Sequence, residues 1–182
     1  MSEFEMSRGD LESQEKGSGA RADGGKPDWG LMPLEQIAAV LESSPRPNDV
    51  PLWHCVDLAA NFQQRGGHME ALDLLKASLY VTQLHLTDDE NDADVFASFE
   101  EVIRVWEHGQ EKYAAFNWMK GMSWNSVLAS YMRHIQKLYQ GERIDKESGR
   151  LHAAHLVCNA MMLVHFTQHY PDGNDLPIRW YK

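Results

Sequence analysis

Apolar residues recur at helical spacing from residue 34 onward, and this pattern predicts an all-α protein. Pro45, Pro47 and the pair Gly66-Gly67 interrupt the pattern and separate its segments. The predicted helices are Leu34–Ser43, Leu52–Arg65, His68–His85, Phe99–Tyr113, Trp124–Tyr139 and Arg150–His169. No segment shows the alternation of apolar and polar residues that is typical of a half-buried strand, so we expect a helical bundle.

The ends of the chain differ from its middle. Residues 1–22 are polar, rich in Gly and Ser and without periodicity, which predicts a disordered N-terminal tail. Residues 23–170 are long enough for one domain with its own core, and residues 171–182 form a C-terminal tail with no regular pattern.

Composition narrows the classes of partner and compartment. The net charge of −10 argues against a nucleic-acid backbone as the main partner. No apolar run reaches the roughly 18 residues that a membrane span needs. Cys55 and Cys158 lie inside apolar helical patterns, which indicates reduced thiols in a cytoplasmic protein.

The stretch Arg133–Asn159 carries an unusual concentration of charged residues and histidines between two apolar helices. A short connection favours an antiparallel pair, which would bring Arg133 and His134 close to the start of the last helix. There, His152, His155 and Asn159 fall within an arc of roughly 60° and can address one point. Histidines at this spacing indicate either a site or hydrogen-bonded core residues, since HxxH alone is a weak motif.

A stripe of carboxylates runs along the preceding helix. Glu100, Glu107 and Glu111 fall within roughly 40° of one another. They border a predicted apolar face made of Phe99, Val102, Ile103, Trp106 and Tyr113. The stripe suits a divalent metal with oxygen ligands. It suits equally a solvated surface in which Arg104 and Lys112 neutralise the acids.

Neither cysteine has an activating neighbour in sequence, and the chain has no Walker loop and no GxGxxG. The remaining coherent chemistry is metal-assisted attack of water on a phosphoanhydride, with Lys and Arg side chains holding the phosphates. Lys26, in a segment that Gly24-Gly25 allows to approach a ligand closely, is a candidate phosphate contact.

Three segments, DGGKPDWGLMP, HGQEKYAAFNWMKGMSW and RHIQKLYQGERIDKESGRLHAAHLVCN, resemble a mostly phage-borne family of dATP/dGTP diphosphohydrolases. That family is related to the all-α nucleotide pyrophosphohydrolases of the MazG type. The resemblance covers about Asp23–Leu34 and Phe99–Phe166. The region between them, about residues 45–94, looks like a helical insertion.

The resemblance implies Mg²⁺- or Mn²⁺-dependent cleavage of dATP or dGTP to the monophosphate and pyrophosphate, as part of phage nucleotide-pool metabolism in the host cytoplasm. Carried onto matching positions, it implies phosphate contacts from Lys26, Lys112, Arg133 and His134. It further implies nucleotide contacts from Asn117 and Trp118. Glu142 and Asp145 would lie at the site with the His pair.

The chain departs from the MazG pattern at the metal ligands. His152 and His155 stand where the later helix carries acids, and Arg104 stands where the earlier helix carries its second acid. Glu107 or Glu111 would then take that role.

The expected site has three groups of residues. Catalytic residues are Glu100, Glu107, His134 and His152; substrate-binding residues are Lys26, Lys112, Asn117, Trp118, Arg133 and Asp145; metal ligands are Glu100, Glu101, Glu107, Glu111 and His155. We expect a deoxynucleoside triphosphate as substrate, no nucleic-acid or membrane partner, and a homo-oligomer. One alternative is a nucleotide-binding or host-interaction protein without activity. Another is a His-metal phosphohydrolase that uses His134, His152 and His155 and releases phosphate or triphosphate.

Overall fold

The computed structural model describes residues 15–17, 19, 34, 50–86 and 95–181, and this part of the chain contains five α-helices and no β-strand. The helices are α1 Val50–Arg65, α2 His68–Leu86, α3 Val95–Lys112, α4 Trp124–Tyr139 and α5 His152–His169. A short 3₁₀ helix, Asn117–Lys120, lies between α3 and α4. Two more, Pro171–Gly173 and Ile178–Trp180, follow α5. The predicted all-α fold is confirmed. Among the described residues, no helix combines the length and the apolar character needed to cross a membrane.

Several predictions concern residues outside the described ranges. They are the N-terminal tail (apart from residues 15–17 and 19), Lys26, and the helix Leu34–Ser43 apart from Leu34. Of the segments before α1, Gly17 and Gly19 each donate a backbone hydrogen bond to the turn after α3, to the carbonyls of Lys120 and Gly121.

Helix α5 lies at the centre of the fold, where it packs against α2, α3 and α4. Its sequence is apolar on nearly every side, and a helix of that kind is stable only when it is surrounded by protein. Phe166, Leu163 and Leu156 are fully buried in the main core, while Val157 and Cys158 pack in a second cluster against α3. Both cysteines are buried and form no disulfide among the described residues, and burial raises the pKa of Cys55 to about 12.

Helix α4 runs antiparallel to α5. Ser123 caps its N-terminus by accepting the backbone N–H of Ser126 at 3.1 Å. At this end the Trp124 indole donates to the carbonyl of Tyr170, just beyond the C-terminus of α5, at 3.0 Å. At the other end His134 contacts His152. The arrangement places the last turns of α4 beside the first turn of α5.

The buried face of α3 differs from the predicted one. Val102 and Val105 are buried against α5, whereas Phe99 and Ile103 are exposed. The expectation that Phe99 and Ile103 belong to the buried face is therefore wrong. Among the described helices, α3 packs chiefly on α2 and α5, so its buried face is narrower than its apolar face and is rotated away from Phe99 and Ile103.

Candidate functional site

A cleft of about 590 Å³ opens between the C-terminal half of α3, the turn that follows it, α4, the α4–α5 loop and α5. One end is lined by charged residues and histidines, among them Arg133, His134 and His155. The other end is lined by aromatic residues of α3 and the following turn, including Trp106 and Trp118. Met162 of α5 lines the cleft about 10 Å along the helix axis from His155. The cleft is therefore elongated, with different chemistry at its two ends.

The charged end is shaped by the tight loop between α4 and α5. Gly141 and Gly149 adopt positive φ angles of 82° and 69°, which glycine does at little cost. Ile144, which lies between the two glycines, pairs with Leu151 in an isolated antiparallel bridge. The backbone N–H of His152 donates to the Arg143 carbonyl at 2.9 Å. These bonds hold the loop over the start of α5.

Three imidazoles meet where α4, the loop and α5 converge. The rings of His134 and His155 are stacked, with centroids 4.5 Å apart and planes 10° from parallel. The Nδ1 atoms of His134 and His152 are 2.8 Å apart. A hydrogen bond between two ring nitrogens needs one donor and one acceptor, so His134 and His152 cannot both be doubly protonated in this geometry.

His152 is the most buried member of this group, at 3% exposure. Burial lowers its pKa, against the opposing effect of Asp145 and Glu142, so it is neutral near pH 7. Its Nε2 makes no hydrogen bond and lies 3.9 Å from a carboxylate oxygen of Glu142. Because a carboxylate attracts an N–H, the neutral ring is expected to carry its proton on Nε2. Its Nδ1 then accepts the N–H of His134.

Ser148 connects His155 to Asp145. The Ser148 hydroxyl donates to Asp145 Oδ2 at 3.0 Å, accepts the backbone N–H of Arg150 at 3.2 Å, and lies 2.8 Å from His155 Nε2. Because the Ser148 hydroxyl donates its hydrogen bond to Asp145, it accepts one from the Nε2–H of His155. Burial acts to raise the pKa of Asp145, but the backbone N–H of Glu147, the Ser148 hydroxyl and the histidines lower it on balance, so this carboxyl is ionised.

Cations surround the same end of the cleft. Lys112, at the end of α3, forms an ion pair with Glu147 of the loop. Lys137 of α4 donates to Glu142 at 3.2 Å, and this bond lowers the pKa of the Glu142 carboxyl below its usual value. Both lysines and Arg133 line the cleft. Because both ion pairs are at least partly exposed to solvent, each is weak enough for an anionic ligand to replace.

The aromatic end is built on stacked rings. Trp106 and Trp118 stack with centroids 5.1 Å apart and planes at 25°. His165 of α5 meets Trp118 edge-on, also at 5.1 Å. Burial lowers the pKa of His165 and the charge of His169 adds to this effect, so the ring against Trp118 is neutral. An indole pair of this kind offers a flat surface to a planar ligand.

The structure brings most of the predicted site residues together. Those that line the cleft are Lys112, Asn117, Trp118, Arg133, His134, Asp145, His152 and His155. Glu142 lies beside them through Lys137 and His152.

The acidic stripe of α3 does not join this group. Glu100, Glu107 and Glu111 are exposed outside the cleft, and Glu101 pairs with Arg104 at 2.8 Å. Because Val102 and Val105 face α5, the helical phase turns these acids away from the histidines. Within the described ranges, no three His, Cys, Asp or Glu side chains are placed to hold a metal ion. The structure therefore does not assemble the predicted metal ligands Glu100, Glu101, Glu107, Glu111 and His155 into one site.

Sequence reasoning did not identify several residues of the cleft. Lys137 was a detectable candidate, because it lies one helical turn after Arg133 on the same helix. Trp106 was assigned to the core because it lies within the apolar pattern of α3. Ser148 and Glu147 carried no sequence signal, since their positions depend on the path of the loop.

The lowered pKa values predict that the protein loses stability in acid. His152, His85 and His165 all have lowered pKa values, chiefly through burial, so between their folded values and about 6.5 the unfolded chain binds more protons. The contribution of these histidines to the free energy of unfolding is present above pH 6.5 and is lost as the pH falls through their pKa values in the folded protein. The lowered pKa of Asp145 acts in the same direction at lower pH. The urea midpoint of unfolding should therefore fall from pH 7.5 through 6.5 to 5.5. A constant or rising midpoint would contradict the lowered pKa values of these histidines.

Comparison with known proteins gives two matches and one negative result. A family model described as "dATP/dGTP diphosphohydrolase, N-terminal" matches residues 83–176, more than half of the chain. A protein of Salmonella phage PMBT28 named dATP/dGTP diphosphohydrolase is 33% identical over 81 residues, which are 44% of this chain and 27% of that protein. The aligned part thus spans about a quarter of that relative. No solved structure matches the chain. The family match includes the described wall of the cleft from α3 to α5 and begins in the last turn of α2.

Proposed function

The chain belongs to the dATP/dGTP diphosphohydrolase N-terminal family, and we propose that it hydrolyses deoxypurine nucleoside triphosphates to the monophosphate and pyrophosphate. One observation carries the proposal. A single elongated cleft has cations and imidazoles at one end and stacked aromatic rings at the other. A nucleoside triphosphate has the same division, with a polyanion at one end and a planar base at the other.

The phosphates occupy the charged end. Lys112 and Lys137 exchange their loop carboxylates, Glu147 and Glu142, for phosphate oxygens. Arg133 adds a guanidinium that can bind two phosphate oxygens at once. The triphosphate competes well for these cations because it presents several charged oxygens to them together.

His134 acts as the general base for the attacking water. With its Nδ1–H donated to His152, its basic nitrogen is Nε2, which takes a proton from water. The water oxygen forms a bond to the α-phosphorus, and the bond from that phosphorus to the bridging oxygen of the β-phosphate breaks. Pyrophosphate leaves with the bonding electron pair. Glu142, 3.9 Å from His152, and Asp145, 3.4 Å from His155, stabilise the positive charge that develops on the imidazole group.

The base lies at the aromatic end, against the Trp106–Trp118 pair. A purine presents a larger π surface than a pyrimidine, so stacking at this end favours dATP and dGTP. Asn117 lines the same part of the cleft and provides an amide for polar contact with the nucleotide.

The divalent cation implied by the resemblance, Mg²⁺ or Mn²⁺, is not given a site by the side chains of the described residues. Their imidazoles and carboxylates bond to one another instead of converging on one point. A divalent cation that entered already bound to the phosphates would supply charge neutralisation there. A homo-oligomer and a role in the deoxynucleotide pool of a phage-infected cell stay predictions, the second supported by the phage origin of the relative.

Product analysis tests the proposal directly. The full chain is incubated with each of the four deoxynucleoside triphosphates and Mg²⁺ or Mn²⁺, and the products are separated by ion-exchange chromatography. We expect dGMP or dAMP with pyrophosphate, and isotopically labelled water should place its oxygen in the monophosphate. Release of inorganic phosphate or triphosphate would instead identify the His-metal phosphohydrolase. Nucleotide binding without turnover would identify a binding protein.

A further inference from the structure

Phe116 has a backbone conformation that is rare for a bulky residue. Its φ is 58° and its ψ is 16°, in the left-handed region, and it is the one non-glycine residue with positive φ among those described. In this region the Cβ atom crowds the neighbouring carbonyl, so glycine and asparagine occupy it far more readily than phenylalanine.

The fold does not explain why a phenylalanine occupies this position. The backbone carbonyl of Phe116 accepts the N–H of Met119 at 2.9 Å, which glycine would do equally well. The side chain contributes little to a core, because Phe116 is 67% exposed whereas Phe62 and Phe166 are fully buried. An exposed ring held by a strained backbone indicates a contact made with something other than the described part of this chain.

The position of Phe116 indicates what that contact is. It lines the cleft and lies in the turn between α3 and the 3₁₀ helix that carries Trp118, two residues before that indole. Tyr113 and Trp106 also line the cleft, and Trp106 stacks on Trp118. The exposed ring is therefore available to a planar ligand in the cleft.

We propose that Phe116 is a substrate-positioning residue that stacks on the purine ring of the bound nucleotide at the aromatic end of the cleft. The inference rests on the proposed function, and adds to it the residue that recognises the base. Stacking between a base and an aromatic side chain typically contributes about 1–3 kcal/mol, which corresponds to about 5- to 150-fold in affinity. The left-handed backbone fixes the direction in which the side chain leaves the turn before the nucleotide binds, so less backbone freedom is lost on binding.

Two substitutions distinguish the effect of the Phe116 ring from the effect of its backbone conformation. Phe116→Gly keeps the conformation readily but removes the ring, whereas Phe116→Trp keeps a stacking surface. We expect Phe116→Gly to raise the KM for dGTP and dATP about 5- to 150-fold with little change in kcat, and Phe116→Trp to stay near the unchanged protein. Inorganic tripolyphosphate, which has no base, should inhibit all three proteins with the same Ki. Phe96→Ala is the matched control, since Phe96 is 72% exposed on α3 outside the cleft.

The measurements distinguish failure of this inference from failure of the proposed function. Binding is followed separately, by quenching of tryptophan fluorescence with dGTP. If the unchanged protein hydrolyses dGTP and Phe116→Gly leaves its KM unaltered, the stacking role is overturned while the activity stands. If the unchanged protein binds dGTP without hydrolysis and Phe116→Gly weakens that binding, the activity is overturned while the stacking role stands. Equal losses for dGTP and tripolyphosphate would overturn the inference, because they would mean a general disturbance of the cleft. Absence of dGTP binding to the unchanged protein would overturn both.

Discussion

Replacement of Phe166 by alanine is expected to lower the free energy of unfolding by about 3–5 kcal/mol, the usual cost of removing a buried phenylalanine. Phe166 is fully buried on the central helix α5, where its ring meets Tyr170 edge-on at 6.1 Å. This loss is a large fraction of the total stability of a typical protein, which is about 5–15 kcal/mol. In a chain of this size it should lower Tm by about 6–20 °C, measured by circular dichroism.

The control for this effect is Phe96→Ala, which removes an equally large side chain from an exposed position. It should change stability by less than about 0.5 kcal/mol. A loss below about 1 kcal/mol for Phe166→Ala would mean that α5 is not the packed centre of the fold.

The sequence predicted the central helices well because several signals agreed there. Ser123, a residue that favours a helix N-terminus, precedes α4, and Gly141 follows its end. Helix α5 was apolar enough to require burial on most sides. Helical periodicity also identified which residues share a face, including His152 and His155.

Periodicity does not determine which way a face turns, and α3 shows the consequence. Its apolar residues span a wide arc, and the direction of burial depends on where α2 and α5 lie. With Val102 and Val105 inward, Phe99 and Ile103 are exposed and the glutamates face away from the cleft. A rotation of this helix by less than half a turn would have produced the predicted arrangement, and nothing in its own sequence excludes that rotation.

The histidine group was predictable in outline but not in detail. A short connection implied that α4 and α5 are antiparallel, which brings His134 to His152. Which ring donates to which depends on the loop, since Glu142 lies near His152 and Ser148 near His155. These pairings follow from the two glycines with positive φ and from the backbone bonds between them, not from spacing along the chain.

Substitution of His134 by asparagine is expected to lower kcat for dGTP by about 10²–10⁴, the usual contribution of a general base. Asparagine retains a hydrogen-bonding atom near the position of Nδ1 but has no basic Nε2. His152→Asn should have a smaller effect, below about tenfold, because its amide oxygen can still accept the N–H of His134. Initial rates at saturating dGTP, measured by pyrophosphate release, give both values.

His54→Asn supplies the matched control, because His54 is exposed on α1 and does not line the cleft, and its kcat should be unchanged. The order of the kcat values of the three variants tests which imidazole takes the proton from water. Equal losses for His134→Asn and His152→Asn would mean that the pair acts as one unit in which His152 also takes the proton. Full activity in His134→Asn would refute the proposal that His134 is the general base.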